Sequence, residues 1–147
     1  MSNVPFHYVD LRAFCYATED EARVADALRA LLPTEDGAGS GDDIELERER
    51  TEGHHGDRIL VLSARVERAD DVRYVLDALR NSPDTDRIRS ELPERVAEDC
   101  SFFVHLDKQA AYRNGTAELG DGISLRAKVE AYPAKRESAI ENAREAL

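Results

Sequence analysis

The segment from Ile123 to Tyr132 alternates apolar and polar residues without interruption. Its apolar positions are Ile123, Leu125, Ala127, Val129 and Ala131, and its polar positions are Ser124, Arg126, Lys128, Glu130 and Tyr132. Successive side chains of a strand point to opposite sides of a sheet, so this pattern predicts a strand with one buried side. The fold must therefore cover one side of its sheet and leave the other partly open, with Arg126, Lys128 and Tyr132 on that open side.

Four other segments have the composition of strands, at residues 7–16, 44–52, 58–68 and 101–107. The first places Val9, Leu11, Ala13 and Cys15 on one side. The second is so rich in charge that it is predicted to be an edge strand, because charged side chains protect an exposed edge from unwanted pairing.

Helical periodicity fills the stretches between these strands. Residues 18–21 (TEDE) form a capping box, which predicts that a helix begins at Thr18. This helix is predicted to end at Pro33. A second helix is predicted to begin at Asp70 or Asp71, a short one to cover 84–92 and to be closed by Pro93, and a last one to cover 134–147. The pair Asn114-Gly115 predicts a hairpin turn.

The predicted order is therefore strand-helix-strand-strand-helix-strand-strand-helix. This order favours an α+β fold, with an antiparallel or mixed sheet and helices packed mainly on one face. The 147 residues have the length of one domain, predicted to span 1–147.

The composition indicates the cellular compartment in which the protein is found. No apolar run is long enough to cross a membrane, and residues 1–5 (MSNVP) do not resemble a secretory signal, so we predict a cytoplasmic protein. Cys15 and Cys100 each lie in an apolar segment and are predicted to be buried thiols, not a disulfide framework.

The charge is strongly acidic and unevenly distributed. The chain has 31 Asp and Glu against 20 Lys and Arg, a net charge of −11. Only Lys108, Lys128 and Lys135 are lysines. An acidic, lysine-poor surface suits a halophilic cytoplasm, where a Debye length of only ~3 Å at 1 M salt screens its self-repulsion. All three lysines lie in residues 100–147, which are neutral overall with 7 acids and 7 bases. Two explanations of this distribution remain open. One is random sequence drift, and the other is that lysine was retained where its ammonium group makes a specific contact.

No catalytic or metal-binding arrangement stands out in the sequence. His54-His55, between Gly53 and Gly56, are adjacent and would point to opposite sides, so we predict no metal site there. A polar turn and a ligand-contacting turn both remain open for this pair. No serine lies in a Gly-x-Ser-x-Gly elbow, and residues 37–41 (GAGSG) lack the Lys-Ser/Thr ending of a phosphate loop. We therefore predict no enzyme activity and no cofactor.

Two segments of the last third combine a cation, an aromatic ring and hydrogen-bonding groups. They are residues 107–112 (DKQAAY) and 131–136 (AYPAKR). This mixture suits RNA, because cations bind phosphate and rings stack on unpaired bases. Ordinary ion pairing and tyrosine packing at strand ends explain the same residues without a ligand.

A set of short motifs resembles one known family. The motifs are Phe6-His7-Tyr8, residues 17–21 (ATEDE), residues 53–56 (GHHG), Asp99-Cys100 and the two segments 107–112 and 131–136. In this order and spacing they resemble an archaeal family of RNA-binding proteins predicted to be exosome subunits. The resemblance runs from about residue 6 to the C-terminus. It implies an α+β fold similar to the large-subunit ribosomal protein that binds 5S rRNA, and a function in RNA binding without catalysis.

The sequence as a whole thus predicts a non-catalytic RNA-binding protein, with the exosome or ribosome-related RNA as possible partners. The RNA-binding residues inferred from the motif positions are Lys108, Gln109, Tyr112, Arg126, Lys128, Tyr132, Lys135, Arg136, His54 and His55. The alternative is an assembly protein that forms a homodimer, or docks on a larger complex, through its open sheet face or its edge strand.

Overall fold

The computed structural model describes residues 5–33, 46–53 and 56–147. Its five strands are Phe6–Tyr16 (β1), Glu47–Glu52 (β2), Arg58–Val66 (β3), Ser101–Asp107 (β4) and Gly122–Val129 (β5). They form one sheet in the order β2-β3-β1-β5-β4, and every neighbouring pair is antiparallel. The longest strand, β1, therefore lies at the centre, where it pairs with β3 on one side and β5 on the other.

Six helices connect the strands. They are Glu21–Ala30 (α1), Ala69–Arg80 (α2), Thr85–Ser90 (α3), Leu92–Arg95 (α4), Lys108–Asn114 (α5) and Arg136–Ala146 (α6). They pack on the side of the sheet where alternate residues are apolar, such as Val9, Leu11 and Ala13 of β1, each at most 1% exposed. Burying these side chains drives the helices onto this side, and the opposite side of the sheet stays open.

The predicted fold class is confirmed, and the predicted element order matches the structure roughly. Helices α4 and α5 were not predicted. Cys15 and Cys100 are buried free thiols, as predicted. Within the described ranges, no helix has both the length and the apolar character that a membrane span requires. The segment 37–41 (GAGSG) lies outside these ranges.

The hairpin turn predicted at Asn114-Gly115 is wrong. Asn114 is the last residue of α5, and Gly115 ends that helix in the left-handed conformation, with φ 66° and its N–H donating to the Ala111 carbonyl. An Asn-Gly pair suits any place where the backbone needs a positive φ, and a helix end is as common a place as a hairpin.

Gly115→Ala should lower the free energy of unfolding by about 1 kcal/mol, because a Cβ raises the energy of the left-handed backbone. No atom lies within 4 Å of the added Cβ, so conformation alone sets the loss. Gly115→Asn is the control, since asparagine tolerates this conformation better. Urea denaturation measures both variants, and an alanine variant as stable as the wild type would contradict the assignment.

Three predicted boundaries also need correction. The N-cap of α1 is Asp20 and not Thr18, because the Asp20 carboxylate accepts the Ala22 N–H at 2.9 Å. Pro93 does not close a helix but lies in the first turn of α4, where a missing N–H has no consequence. Strand β5 ends at Val129, opposite Phe6, because its partner β1 begins there.

Candidate nucleic-acid interface

The side of the sheet opposite the helices is called the open face here. Its residues are those that alternate with the buried ones and lie opposite one another in the strand register. On the three strands β3, β1 and β5 they include Ser63, Arg65, Tyr8, Asp10, Arg12, Phe14, Tyr16, Ser124, Arg126 and Lys128. Strand β4 adds Ser101, Phe103 and His105, and strand β2 adds Glu47 and Glu49.

Arg12 lies in the middle of the open face. It pairs across β1 with Ser63 on one side and Ser124 on the other, and His105 continues the same row on β4. Its guanidinium lies 5.9 Å from the centre of the Phe14 ring. Among the described residues it has no acidic partner within ion-pair distance, so its hydrogen-bond donors are available to a ligand.

The next row of the open face contains two arginines with different partners. Arg65 is held by Asp10 through two hydrogen bonds of 2.6 and 2.9 Å, and it stacks on Tyr8 at 4.1 Å. Hydrogen bonding to Asp10 raises the pKa of Arg65 above its ordinary value. Because its charge is neutralised by this pair, Arg65 has a structural role.

Arg126 occupies the same row on the other side of Asp10 but is held loosely. Its side chain is 49% exposed, and its ion pair with Asp99 is 3.3 Å long. The guanidinium lies 5.3 Å from the centre of the Phe103 ring, which is directly opposite it on β4. Arg126 can therefore exchange its present partner for a phosphate at little cost.

Asp99 anchors the cations of β5 from the loop before β4. Its carboxylate contacts Arg126, and its backbone carbonyl accepts a hydrogen bond from Lys128 Nζ. Hydrogen bonds from the side chain and backbone of Ser101 lower the pKa of Asp99, and Lys128 and Arg126 add to this effect. Asp99 is thus an anion that contacts two cations of β5.

The charge of the open face differs from that of the chain. Strands β1, β3 and β5 present four cations, Arg12, Arg65, Arg126 and Lys128, against the single acid Asp10. The acids Glu47 and Glu49 lie on the outer strand β2. The half formed by β1, β5 and β4 is therefore the part of the open face that suits an anionic ligand.

Comparison with known proteins agrees with this character. A family model described as RNA binding matches residues 8–129, which include β2 to β5 and all of β1 except its first two residues. The chain belongs to this RNA-binding family.

Two relatives match almost the whole chain, and a third matches 80% of it. The RNA-binding protein PAB1135 of Pyrococcus abyssi is 35% identical over 96% of this chain and 93% of its own. Mth689 of Methanothermobacter thermautotrophicus, a DUF54 protein of solved structure, is 39% identical over 97% of this chain and 98% of its own, with a TM-score of 0.80. The uncharacterized protein MJ0213 of Methanocaldococcus jannaschii is 29% identical over 80% of this chain and 78% of its own.

The site residues that were predicted from the sequence lie in three separate places in the structure. The first place is the open face, where Arg126 and Lys128 lie, as the alternation predicted.

The second place is the end of the sheet where β5 stops, and it contains Tyr132, Lys135 and Arg136. Tyr132 does not lie on the open face as predicted, because β5 ends three residues earlier, and its side chain is 85% exposed beyond the sheet. Lys135 is the exposed residue that precedes α6. Arg136 donates from Nε to the Val96 carbonyl at 2.9 Å and from Nη2 to Pro93, and so it ties α6 to the segment before β4.

The third place is the opposite end of the sheet, next to α5. The Lys108 ammonium lies 2.7 Å from both the Phe14 carbonyl and a Glu19 carboxylate oxygen, and the side chain is only 14% exposed. Gln109 and Tyr112 are exposed and line a groove between α1 and α5. The pairing of β5 with β1 explains why the second and third places are far apart. Ile123, at the start of β5, pairs with Ala13, whereas Val129, at its end, pairs with Phe6, so the two places lie at opposite ends of the sheet.

His54 and His55 lie outside the described residues. In the parts of the chain that the structure does describe, no three His, Cys, Asp or Glu side chains come together in a way that could hold a metal ion. Whether the two histidines contact a ligand stays a prediction.

The site residues predicted from the sequence did not include Arg12 or the aromatic residues of the open face. Tyr16 and Phe103 are 50% and 36% exposed, and Phe14 is half-buried beside Arg12. The alternation of residues 7–16 and 101–107 carried this information, because the positions between the apolar ones must face the open side. Only the apolar members of these strands were used as a signal.

Proposed function

We propose that the chain is a non-catalytic RNA-binding protein and that RNA lies on the half of the open face formed by β1, β5 and β4. The observation that carries this proposal is the pair of exposed guanidiniums, Arg12 and Arg126, beside the rings of Phe14 and Phe103. Guanidiniums bind phosphate and aromatic rings stack on bases, so one surface offers both contacts that RNA needs. The relative PAB1135, named an RNA-binding protein, supports the same function.

The proposal resolves the apparent conflict between RNA binding and a net charge of −11. The half of the open face formed by β1, β5 and β4 carries Arg12, Arg126 and Lys128 against Asp10 and the neighbouring Asp99. In the halophilic cytoplasm that we propose, salt screens the repulsion from acids elsewhere beyond a few ångströms. Salt also weakens the counterion release that drives most RNA binding. Recognition must therefore rest on stacking and direct hydrogen bonds.

Only some of the residues that were predicted from the sequence belong to this site. Arg126 and Lys128 remain in the site, because both lie on the open face. Gln109 and Tyr112 form a separate exposed surface at one end of the sheet, and Tyr132 and Lys135 form another at the opposite end. Each is a place where a long RNA could make additional contacts.

The salt dependence of affinity tests this function. Binding of a labelled RNA is measured by fluorescence anisotropy over a series of KCl concentrations. Each phosphate contact contributes a slope of about 0.7 in the logarithm of affinity for single strands, so Arg12, Arg126 and Lys128 predict a slope of about 2. A slope that corresponds to about eight or more contacts would contradict the proposal, and so would an absence of binding. Intact RNA after incubation with divalent cations is expected of a non-catalytic protein.

Asp99→Asn should tighten RNA binding about 3-fold, because it removes the anion that competes with phosphate for Arg126. The asparagine carbonyl still accepts the Ser101 N–H that fixes the loop. Asp86→Asn, on an exposed part of α3, removes the same charge elsewhere and is the matched control. An equal gain from both variants would show that only net charge matters.

Association with the exosome or with ribosome-related RNA is part of the proposal at the level of partners. Crosslinking in cell extract at native salt, followed by sequencing of the bound RNA and identification of the bound proteins, tests it directly. Exosome or ribosomal components that are recovered with wild type but lost with the Arg12→Gln, Arg126→Gln variant would support it. Recovery of neither exosome nor ribosomal components with the wild type would contradict it, and equal recovery with both proteins would show that the contact is not made through these two arginines.

A homodimer that forms through the sheet is the second candidate. Strand β2 is an edge of the sheet, and all six of its residues are exposed. Its sequence ERERTE places charges at five of six positions, which opposes pairing with another strand. Sedimentation separates the two functions. A stable dimer whose formation blocks RNA binding would favour the second, and a monomer that binds RNA the first.

A further inference from the structure

We infer that the RNA bound by the open face is single-stranded, with unpaired bases stacked on Phe14 and Phe103 and the backbone lying over Arg12 and Arg126. This inference rests on the proposed function and adds the class of RNA and the role of each side chain. It concerns a track of four residues from three neighbouring strands, which is called the diagonal track here.

The strand register defines the diagonal track. Phe14 and Arg12 lie on the same side of β1, two residues apart, which corresponds to about 6.5 Å. Arg126 of β5 pairs with Asp10, so it is the diagonal neighbour of Arg12, about 7–8 Å away. Phe103 of β4 pairs directly with Arg126. The order along the track is therefore ring, guanidinium, guanidinium, ring.

Each ring of the track is coupled to the guanidinium beside it. Arg12 lies 5.9 Å from the Phe14 ring centre, and Arg126 lies 5.3 Å from the Phe103 ring centre. These contacts keep both guanidiniums close to the sheet surface. A nucleotide whose base stacks on either ring would therefore bring its phosphate to an arginine that is already in place.

Phe103 presents part of its ring to solvent on the open face, beside Arg126. Phenylalanine has no polar group to satisfy, yet this ring is 36% exposed on an open sheet face, while its neighbours Phe102 and Val104 are at most 1% exposed. A flat aromatic surface beside a cation is the feature on which nucleic-acid bases stack. The aromatic surface is therefore available for a ligand.

A duplex would use only the cations of this surface and not its rings. In an A-form helix the bases are stacked inside, and only phosphates, 2′-hydroxyls and groove edges reach a protein. Among the described residues, the half of the open face formed by β1, β5 and β4 offers Arg12, Arg126 and Lys128 as cations for phosphates. Phosphate contacts lose strength in concentrated salt, whereas stacking is less sensitive to it. The surface is therefore better suited to unpaired bases than to a duplex.

Polar side chains lie between the two rings. Ser124 and His105 continue the row of Arg12 across β5 and β4, and His105 is exposed. A hydroxyl and an imidazole can donate and accept hydrogen bonds at the edges of a base. A nucleotide held between Phe14 and Phe103 would meet these two side chains.

The test compares one RNA in two forms. A fluorescein-labelled strand of about 12 nucleotides of mixed sequence without self-complementarity is titrated alone and after annealing to its complement, in concentrated KCl. The proteins are wild type, Phe103→Leu, Phe14→Leu, Arg12→Gln and the control Tyr74→Leu, which removes a partly exposed ring from α2, on the opposite side of the sheet. Thermal unfolding confirms that each variant is folded.

The single strand should bind wild type at least 10-fold more tightly than the duplex. Phe103→Leu should weaken binding of the single strand about 5- to 150-fold, the range measured for loss of one stacked base. Phe14→Leu should have a similar effect. Duplex binding should not change in either variant, and Tyr74→Leu should match wild type for both RNAs.

The possible failures are distinguishable. If duplex and single strand bind equally, and Arg12→Gln weakens both while Phe103→Leu and Phe14→Leu weaken neither, the RNA is not held by stacking and this inference is overturned, although RNA binding at the open face stands. If Tyr74→Leu is as damaging as Phe103→Leu, the loss is not specific to the open face and the diagonal track is not the binding site. If neither RNA binds, the proposed function itself is wrong.

Discussion

Replacing Arg12 and Arg126 together by glutamine should weaken binding of single-stranded RNA about 100-fold. A hydrogen bond to a charged group contributes about 1.5–3 kcal/mol, so the loss of two such contacts, partly offset by the glutamine amides, corresponds to roughly 2.7 kcal/mol. The fold should hardly change, because Arg12 has no ion pair in the described structure and Arg126 has only the loose one with Asp99. Fluorescence anisotropy at fixed salt measures the loss.

The matched control removes two arginines from helices on the other side of the sheet. Arg87 of α3 and Arg144 of α6 are exposed or half-exposed, and each pairs with a glutamate of its own helix or its C-cap. Replacing both by glutamine changes the net charge by the same amount. A 100-fold loss in this control variant as well would mean that the open face has no special role.

Lys108→Met is expected to lower the free energy of unfolding by about 2–4 kcal/mol, because it removes one partner of a largely buried ion pair. The ammonium bridges Glu19 and the Phe14 carbonyl at 2.7 Å each, and so it joins α5 to the end of β1 and to the segment before α1. Methionine keeps the length and the apolar stem but leaves the Glu19 carboxylate without its cation. Urea denaturation near neutral pH measures the loss.

The pH dependence of this loss identifies the ion pair as its cause. Burial opposes ionisation of Glu19, but hydrogen bonds from Lys108 and from the Tyr16 N–H prevail and lower its pKa below 4.5. Glu19 therefore stabilises the wild type above pH 4.5, and this contribution is lost as the pH falls through the lowered pKa. The difference between wild type and Lys108→Met should then shrink in acid. An equal difference at all pH values would instead indicate a packing defect.

The same variant separates structural from functional roles of the sequence-predicted site. Folded Lys108→Met should bind RNA as the wild type does, because its ammonium already has two partners inside the protein. Lys128→Met, on the open face, should weaken binding. Equal weakening by both variants would restore Lys108 to the RNA site and place that site at the α5 end of the sheet.

The sequence by itself determined the character of the strands. Strict alternation in residues 123–132 was sufficient to predict a sheet with one buried side, and it placed Arg126 and Lys128 on the open face. This worked because the period of two is a local property, which any strand keeps whatever its neighbours are. Helix ends were less certain, since Thr18 and Asp20 both suit an N-cap and Asn114-Gly115 suits a hairpin and a helix end equally well.

Only the tertiary structure decided which side chains meet. Phe14, Arg12, Arg126 and Phe103 form the diagonal track because β5 lies between β1 and β4, and no local pattern specifies the order of strands in a sheet. The inward direction of Lys108 likewise depends on Glu19, 89 residues earlier in the chain. Local periodicity tells which way a side chain points relative to its own strand. Which other side chains it contacts depends on the order of the strands in the sheet, and that order is set by burial of the whole core.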